Sequence, residues 1–313
     1  MPSAVGVDVG GTKARAALVN DRGELGRRVE RPTHGEFDPR LLVGLLGELL
    51  DESPERPEAV GVAFAGFIDS SGRIAFAPNL DVADGEVAGP LEERFNLPAV
   101  VVNDANAAAW GEYRSGSGRG AQHLLMLTVG TGIGGGIVLD GRLYTGSRGF
   151  AAEFGHIPVQ RNGPRCACGA RGCLEAMASG TALARMAREE IGDHPESSIS
   201  ELAGGERRNI TGAMVGQAAA GGDEFALDLL DRLGVWLGVG IAGLAQAFDP
   251  DLVVVGGGVA KSGSLFLSSA IKELSDRFAG QVDPPPVVPA ALGNDAGVIG
   301  SALVALDHGS RRS

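Results

Sequence analysis

Two α/β domains of related topology, facing one another, are the fold this sequence predicts. The main observation is an internal repeat. Val9-Gly10 matches Val129-Gly130, and Asn20-Asp21 falls on Asp140-Gly141, at a constant offset of 120 residues. The second is a series of short apolar strands ending in glycine-rich turns and separated by helical patterns. The third is size: 313 residues, 44% hydrophobic and 21% charged, suffice for two compact domains with a large core.

In chain order, Val5 to Val9 reads as a strand closed by Gly10-Gly11-Thr12-Lys13. A second strand, Ala14 to Val19, leads through the turn Asn20–Gly23 to a third strand from Glu24. Leu41 to Leu50 has helical spacing. Strands follow at Val60–Phe64 and Val100–Val102, then a helix from Ala105 to Tyr113. The repeat begins at Leu125, passes Gly130-Thr131-Gly132, and continues through Ile133–Leu139. Beyond Cys173 the chain is mainly helical: Thr181–Ile191, Thr211–Ala220 and Glu224–Phe248. A buried strand, Leu252–Val255, runs into Gly256-Gly257-Gly258, and a last helix spans roughly Asp295 to Leu306.

The 50 glycines show no three-residue period, which excludes collagen, and their short runs suggest loops where backbone approaches a ligand. Net charge is −12 and no basic run is longer than the two residues of Arg311-Arg312, which argues against nucleic acid or an anionic membrane as partner. Asp8 cuts the apolar N-terminal run, so no signal peptide is expected. Gly234–Phe248 is too short to span a bilayer and reads as a buried helix. With reduced thiols, these features place the protein in the cytoplasm.

All three cysteines fall within Cys166-Ala-Cys168-Gly-Ala-Arg-Gly-Cys173, ten residues after His156. Three is odd for disulfides, and Cys166 and Cys168 are too close to bridge without strain. Three thiolates and an imidazole make a tetrahedral Cys₃His zinc shell with no open position, hence a structural one that pins the loop before Glu175.

The three glycine turns can aim backbone N–H groups at a polyanion, and together they suggest a nucleotide held between two domains. No Walker sequence is present. Gly132-Ile133-Gly134-Gly135 is a hairpin, because a strand follows it where a dinucleotide fingerprint needs a helix. Asp8, interrupting a valine-rich strand, could hold Mg²⁺ through water. Asp104 sits at a strand end, where it could either cap the helix from Ala105 or serve a polar site with Asn103.

These segments resemble the ROK family of repressors, open reading frames and sugar kinases, over essentially the whole chain. Asp8-x-Gly10-Gly11-Thr12-Lys13 and Thr128–Gly136 look like its phosphate motifs, and Asn103-Asp104-Ala105-Asn106 like its catalytic motif. Glu153-Phe154-Gly155-His156 and Cys166-x-Cys168-Gly-x-x-Gly-Cys173-x-Glu175 look like its zinc and sugar segment. The resemblance implies the actin-like ATPase (ribonuclease H-like) fold: a small domain of 1–108 with a C-terminal helix from about 300, and a large domain of 109–299, around a cleft. It implies ATP- and Mg²⁺-dependent phosphorylation of a hexose 6-hydroxyl, with glucose first and fructose, mannose or an N-acetylhexosamine as alternatives. Asp104 would be the general base. Gly66, Asn79, Asn103, Asp104, Glu153, His156 and Glu175 would bind the sugar. Asp8, Gly10, Gly11, Thr12, Lys13, Thr131 and Gly132 would serve the phosphates and metal, and Gly256, Gly257, Gly258 and Val259 the adenosine. His156, Cys166, Cys168 and Cys173 would ligate zinc, and the family implies a homodimer or homotetramer. Val102 departs from the polar or acidic residue many members carry there. A sugar-responsive repressor is disfavoured, because Asp8 arrives too early to leave room for a helix-turn-helix domain before it.

Overall fold

A computed structural model describes residues 1–33, 35–51, 56–78, 80–82, 85–259, 264–280 and 282–310. It divides into two compact units. Unit 1 comprises Met1–Leu124, Gly136–Ala152 and Ala291–Ser313; unit 2 comprises Leu125–Gly135 and Glu153–Ala290.

The chain opens with strands β1 (Ser3–Val9), β2 (Lys13–Asn20) and β3 (Leu25–Pro32). The short β4 (Glu36–Phe37) and helix α1 (Pro39–Asp51) follow, then β5 (Ala59–Phe64). Next come β6 (Phe67–Ile68), β7 (Ile74–Phe76), β8 (Asp81–Val82), α2 (Ala88–Phe95), β9 (Ala99–Asn103) and α3 (Asp104–Ser115). Strands β10 (Leu124–Val129), β11 (Ile133–Leu139) and β12 (Arg142–Leu143) lead to a helical run. That run is α4 (Leu174–Ala178), α5 (Gly180–Glu190), α6 (Ile199–Leu202), α7 (Gly212–Ala220) and α8 (Glu224–Phe248). The chain closes with β13 (Leu252–Gly256), α9 (Ser264–Phe278), β14 (Val287–Pro289) and α10 (Ala296–Ser310).

The repeat seen in the sequence is a repeat of sheet topology. One five-stranded sheet has the order β3-β2-β1-β5-β9 and the other β12-β11-β10-β13-β14. In the first, β1 pairs antiparallel with β2 and parallel with β5, and β5 pairs parallel with β9. In the second, β11–β12 is antiparallel and β13–β14 parallel. Expected elements form within about one helical turn of their expected ends. The helices Ala88–Phe95 and Ser264–Phe278 were not anticipated.

In unit 1 the alternation of β1 decides what covers each face. Val5, Val7 and Val9 join a fully apolar cluster with Leu42, Leu45, Leu46 and Leu49, which recur at helical spacing along α1. Each such leucine, removed from water, contributes roughly 1.5–3 kcal/mol. The opposite face carries Gly6, and Gly61 beside it on β5, and here helix α10 lies directly on the sheet. A Cβ at Gly6 or Gly61 would come within 1.9 Å of the backbone oxygen of Val298 or Ser301. The Ser301 hydroxyl donates to Val7 O at 3.1 Å. On its other side α10 meets α3, where a Cβ at Gly300 would lie 1.7 Å from Ala107 O. Trp110 Nε1 donates to Asp307 at 2.9 Å, and Arg114 pairs with the same carboxylate. Many glycines read as ligand-approach positions are therefore packing positions, required because helix and sheet backbones touch.

Unit 2 is organised by α8, whose N-cap Asp223 accepts from Ala226 N at 2.9 Å. Gly234 and Gly238, one turn apart, let α9 approach, since a Cβ at either would meet Phe266 O or Ala270 O at 2.4 or 2.5 Å. Among the described residues no helix is long and apolar enough to cross a membrane.

Candidate active site and metal centre

The first glycine turn is braced by its neighbours. Gly10 N donates to Lys13 O at 3.0 Å, Thr33 N to Thr12 O at 3.1 Å, and the Thr33 hydroxyl to Gly10 O at 3.0 Å. Thr12 is left exposed at the tip. Lys13 pairs with Glu30 at 3.0 Å on the surface. Asp8 stands opposite Arg15 in the β1–β2 register and forms an ion pair with it. Arg15 also donates to Asn294 O at 2.7 Å. A half-buried carboxylate in a valine strand thus has a cationic partner, as burial of charge requires.

At the end of β9 the helix begins one residue earlier than expected. Asn103, not Asp104, is the N-cap: its Oδ1 accepts from Ala105 N and Asn106 N, both at 3.0 Å. Its Nδ2 donates to Gly66 O and to Asp104 Oδ1, both at 3.1 Å. Asp104 Oδ1 accepts a further bond from Ala105 N at 2.9 Å. Asparagine takes the cap because its extended backbone, ψ 145°, turns the amide oxygen over the first helical N–H groups. Asp104 is then fixed in the first turn, where a carboxylate is favoured by the helix dipole. Asn103, Asp104 and Gly66 are thereby brought together; Asn79 lies outside the described residues.

In unit 2 the second glycine turn closes with Gly130 N donating to Gly132 O at 2.9 Å. Gly180 N donates to Gly130 O at 2.8 Å, and Thr181 reaches Thr131 O through its hydroxyl at 2.7 Å. A pocket of about 450 Å³ is lined by Gly130, Thr131, Thr181, Arg188, Gly258 and Val259, and by Thr211–Ala213. Gly257, at φ 95°, packs where a Cβ would meet Val129 O at 2.3 Å. The glycine turns are legible as motifs in the sequence, whereas Arg188 and the start of α7 carry no local signal of the pocket they line. Thr211 is a visible N-cap, accepting from Met214 N at 3.3 Å, but no motif marks that helix end as part of a pocket.

The cysteine loop folds as a compact knot. Cys166 N donates to Ala170 O at 2.8 Å, and Gly172 (φ 67°) packs against Gln160 so closely that a Cβ would lie 1.6 Å from its carbonyl oxygen. One ligand atom from each of His156, Cys166, Cys168 and Cys173 lies within 4.8 Å of the others. His156 Nδ1 is 3.7 Å from Cys166 Sγ, and Cys168 Sγ is 3.7 Å from Cys173 Sγ. A tetrahedral zinc with bonds of ~2.3 Å to sulfur separates its sulfurs by about 3.8 Å, so the donor set fits that ion. Burial pushes the Cys166 thiol up to about 12 and also raises Cys173, whereas a backbone N–H from Ala170 holds Cys168 below its usual value. A bound divalent ion supplies the charge that buried thiolates need.

Around this centre stand the acidic residues read from the sequence. Glu153 Oε2 is 4.0 Å from His156 Nε2. Burial raises the Glu153 carboxyl, opposed by His156 and reinforced by the charge of Glu175. Glu175 Oε2 accepts from Ile133 N at 2.9 Å, and its Oε1 faces Cys166 Sγ at 3.7 Å.

A repeated hairpin-and-crossover sheet with glycine turns, joined to this Cys₃His knot, defines an actin-like ATPase fold of the sugar-kinase kind. Residues 4–308 match the ROK family, and the chain belongs to it. It is 40% identical over 307 residues to a glucokinase of Halalkalibacterium halodurans, covering 95% of this chain and 92% of that one. A Streptomyces coelicolor glucokinase is 38% identical over 310 residues, covering 96% of each. Among solved structures, a ROK family glucokinase from Streptomyces griseus in complex with glucose and AMPPNP superposes with a TM-score of 0.85 at 38% identity, covering 97% of this chain and 99% of that one.

Proposed function

We propose that this chain is an ATP-dependent glucokinase, transferring the γ-phosphoryl group of ATP to the 6-hydroxyl of D-glucose. The observation that carries the reading is the fixed carboxylate of Asp104, held at the start of α3 by Asn103 and by the Ala105 amide. Asp104 takes the proton as the sugar oxygen attacks phosphorus. No covalent intermediate is needed, since phosphoryl transfer is mainly positioning and charge stabilisation.

Gly66, Asn79, Asn103, Glu153, His156 and Glu175 hold the sugar hydroxyls in this reading. With Nδ1 turned to the metal knot, His156 offers its Nε2 as a hydrogen-bonding group. Likeness to the glucokinases supports glucose over other hexoses. Adenosine takes the pocket lined by Arg188, Thr211, Gly258 and Val259, and the amides of the two Gly-Thr turns take the phosphates. Mg²⁺, held through Asp8, would neutralise phosphate charge. Zinc, held by His156, Cys166, Cys168 and Cys173, would fix the loop geometry. We further propose a cytoplasmic homodimer or homotetramer.

The test is a coupled ADP-release assay against glucose, mannose, fructose and N-acetylglucosamine. Glucose is expected to give the highest kcat/KM. A preference for N-acetylglucosamine would reassign the substrate, and no ADP release with any hexose would end the kinase reading.

A further inference from the structure

The segment leaving the metal knot is stitched to the second glycine turn at several points. Gly130 O accepts from Gly180 N at 2.8 Å, and Thr131 O from the Thr181 hydroxyl at 2.7 Å and the Thr181 amide at 3.3 Å. On the other limb, Ile133 N donates to Glu175 Oε2 at 2.9 Å. Gly132 leaves room for this, because a Cβ there would lie 2.3 Å from the same carboxylate oxygen. Among the described residues, no protein acceptor takes the amides of Thr131 and Gly132, which suits groups meant for a phosphate. Glu175 follows the ligand Cys173 by two residues, and its other oxygen faces the ligand Cys166.

We propose that Glu175 is a positioning residue through which metal occupancy of the Cys₃His knot sets the shape, and so the phosphate affinity, of the turn Gly130–Gly132. The inference rests on the kinase reading for the identity of the ligand. Its physical content is geometric. The metal fixes Cys166 and Cys173, the two cysteines fix Glu175, and Glu175 fixes the limb that aims the turn's amides. A charged carboxylate accepting from a backbone N–H is a strong anchor, and losing it leaves that donor without its partner.

The experiment measures binding of MgATP and of adenosine by calorimetry, on metal-loaded protein and on protein stripped with a chelator and dialysed into Mg²⁺. Wild type, Glu175→Gln and Glu175→Leu are compared, with zinc content and folding checked for each. Stripping wild type should weaken ATP about tenfold, the size expected for one lost charge-assisted hydrogen bond, and leave adenosine within about twofold. Glu175→Gln, which keeps a neutral acceptor for Ile133 N, should weaken ATP binding less than Glu175→Leu does. Glu175→Leu should match the stripped protein, and stripping that variant should add nothing, since the two changes act through one path. ATP affinity unchanged on stripping, or adenosine weakened equally, would overturn the inference while leaving the kinase reading standing. Failure of loaded wild type to bind ATP at all would overturn both.

Discussion

Asp8 and Arg15 face each other across the first hairpin and share an ion pair beside the turn Gly10–Thr12. Arg15 is held from behind by Asn294 O, so the pair is anchored to the segment preceding α10. The pairing explains how a carboxylate is tolerated in a buried strand beside the first glycine turn.

Asp8→Asn is therefore expected to raise the Mg²⁺ concentration for half-maximal activity by about tenfold or more, since a neutral amide is a poor partner for a hard cation. A magnesium titration of glucose phosphorylation measures this. If only the melting temperature moved, Asp8 would serve Arg15 alone.

Asp104→Asn is expected to lower kcat by ~10²–10⁴ with zinc content and melting temperature retained, as for loss of a general base. Asn103 continues to cap α3 in this variant, so folding is spared. Near-normal glucose turnover would reduce Asp104 to a first-turn carboxylate.

Two glycine-to-alanine changes should move stability in opposite directions. Gly300→Ala drives a methyl into the backbone of Ala107 and should cost at least ~1–3 kcal/mol. Gly44→Ala, on the exposed side of α1 with nothing within 4 Å, should add about 0.5–1 kcal/mol through helix propensity. Urea midpoints of both variants give the comparison, and equal midpoints would contradict the close packing of α10.

Glu190 and Arg232 form a two-pronged ion pair at 2.7 and 2.8 Å. The guanidinium hydrogen bonds hold the Glu190 carboxyl below its usual range. A carboxylate with a lowered folded pKa contributes stability above its unfolded value, about 4.3, and loses it as pH falls through the folded value. Both side chains are more than a third solvent-exposed, so Arg232→Met should cost only ~0.2–1 kcal/mol at neutral pH. That difference should shrink below about pH 4.3 and vanish once Glu190 is protonated. A difference independent of pH would assign the loss to packing of the arginine stem.

What the sequence revealed and concealed follows from the range of the interactions. The hairpins, the glycine turns and the cysteine knot are local, and their residues are neighbours in the chain. Helix α9 was legible in principle. Leu265, Phe266, Ala270, Leu274 and Phe278 recur at helical spacing, and Lys272–Asp276 and Glu273–Arg277 are i,i+4 pairs. The capping role of Asn103 was hidden, because Asn and Asp are equivalent caps and only backbone torsion chooses between them. Arg188 and Thr211 reach the Gly130–Thr131 turn from separate helices, an arrangement no local pattern encodes. Glycines at 6, 61 and 300 look like those of the glycine turns in sequence, yet Gly300 serves the contact of α10 with α3, and Gly6 and Gly61 serve the contact of α10 with the sheet.

That contact orders events during synthesis. Strand β1 leaves the ribosome about 290 residues ahead of the helix that covers its glycine face, which spans residues 296–310. At 5–20 residues per second the strand waits roughly 15–60 s for its partner. Throughout that interval unit 2 can complete its own core, while the first sheet shows one bare, glycine-paved face to chaperones and to neighbouring nascent chains.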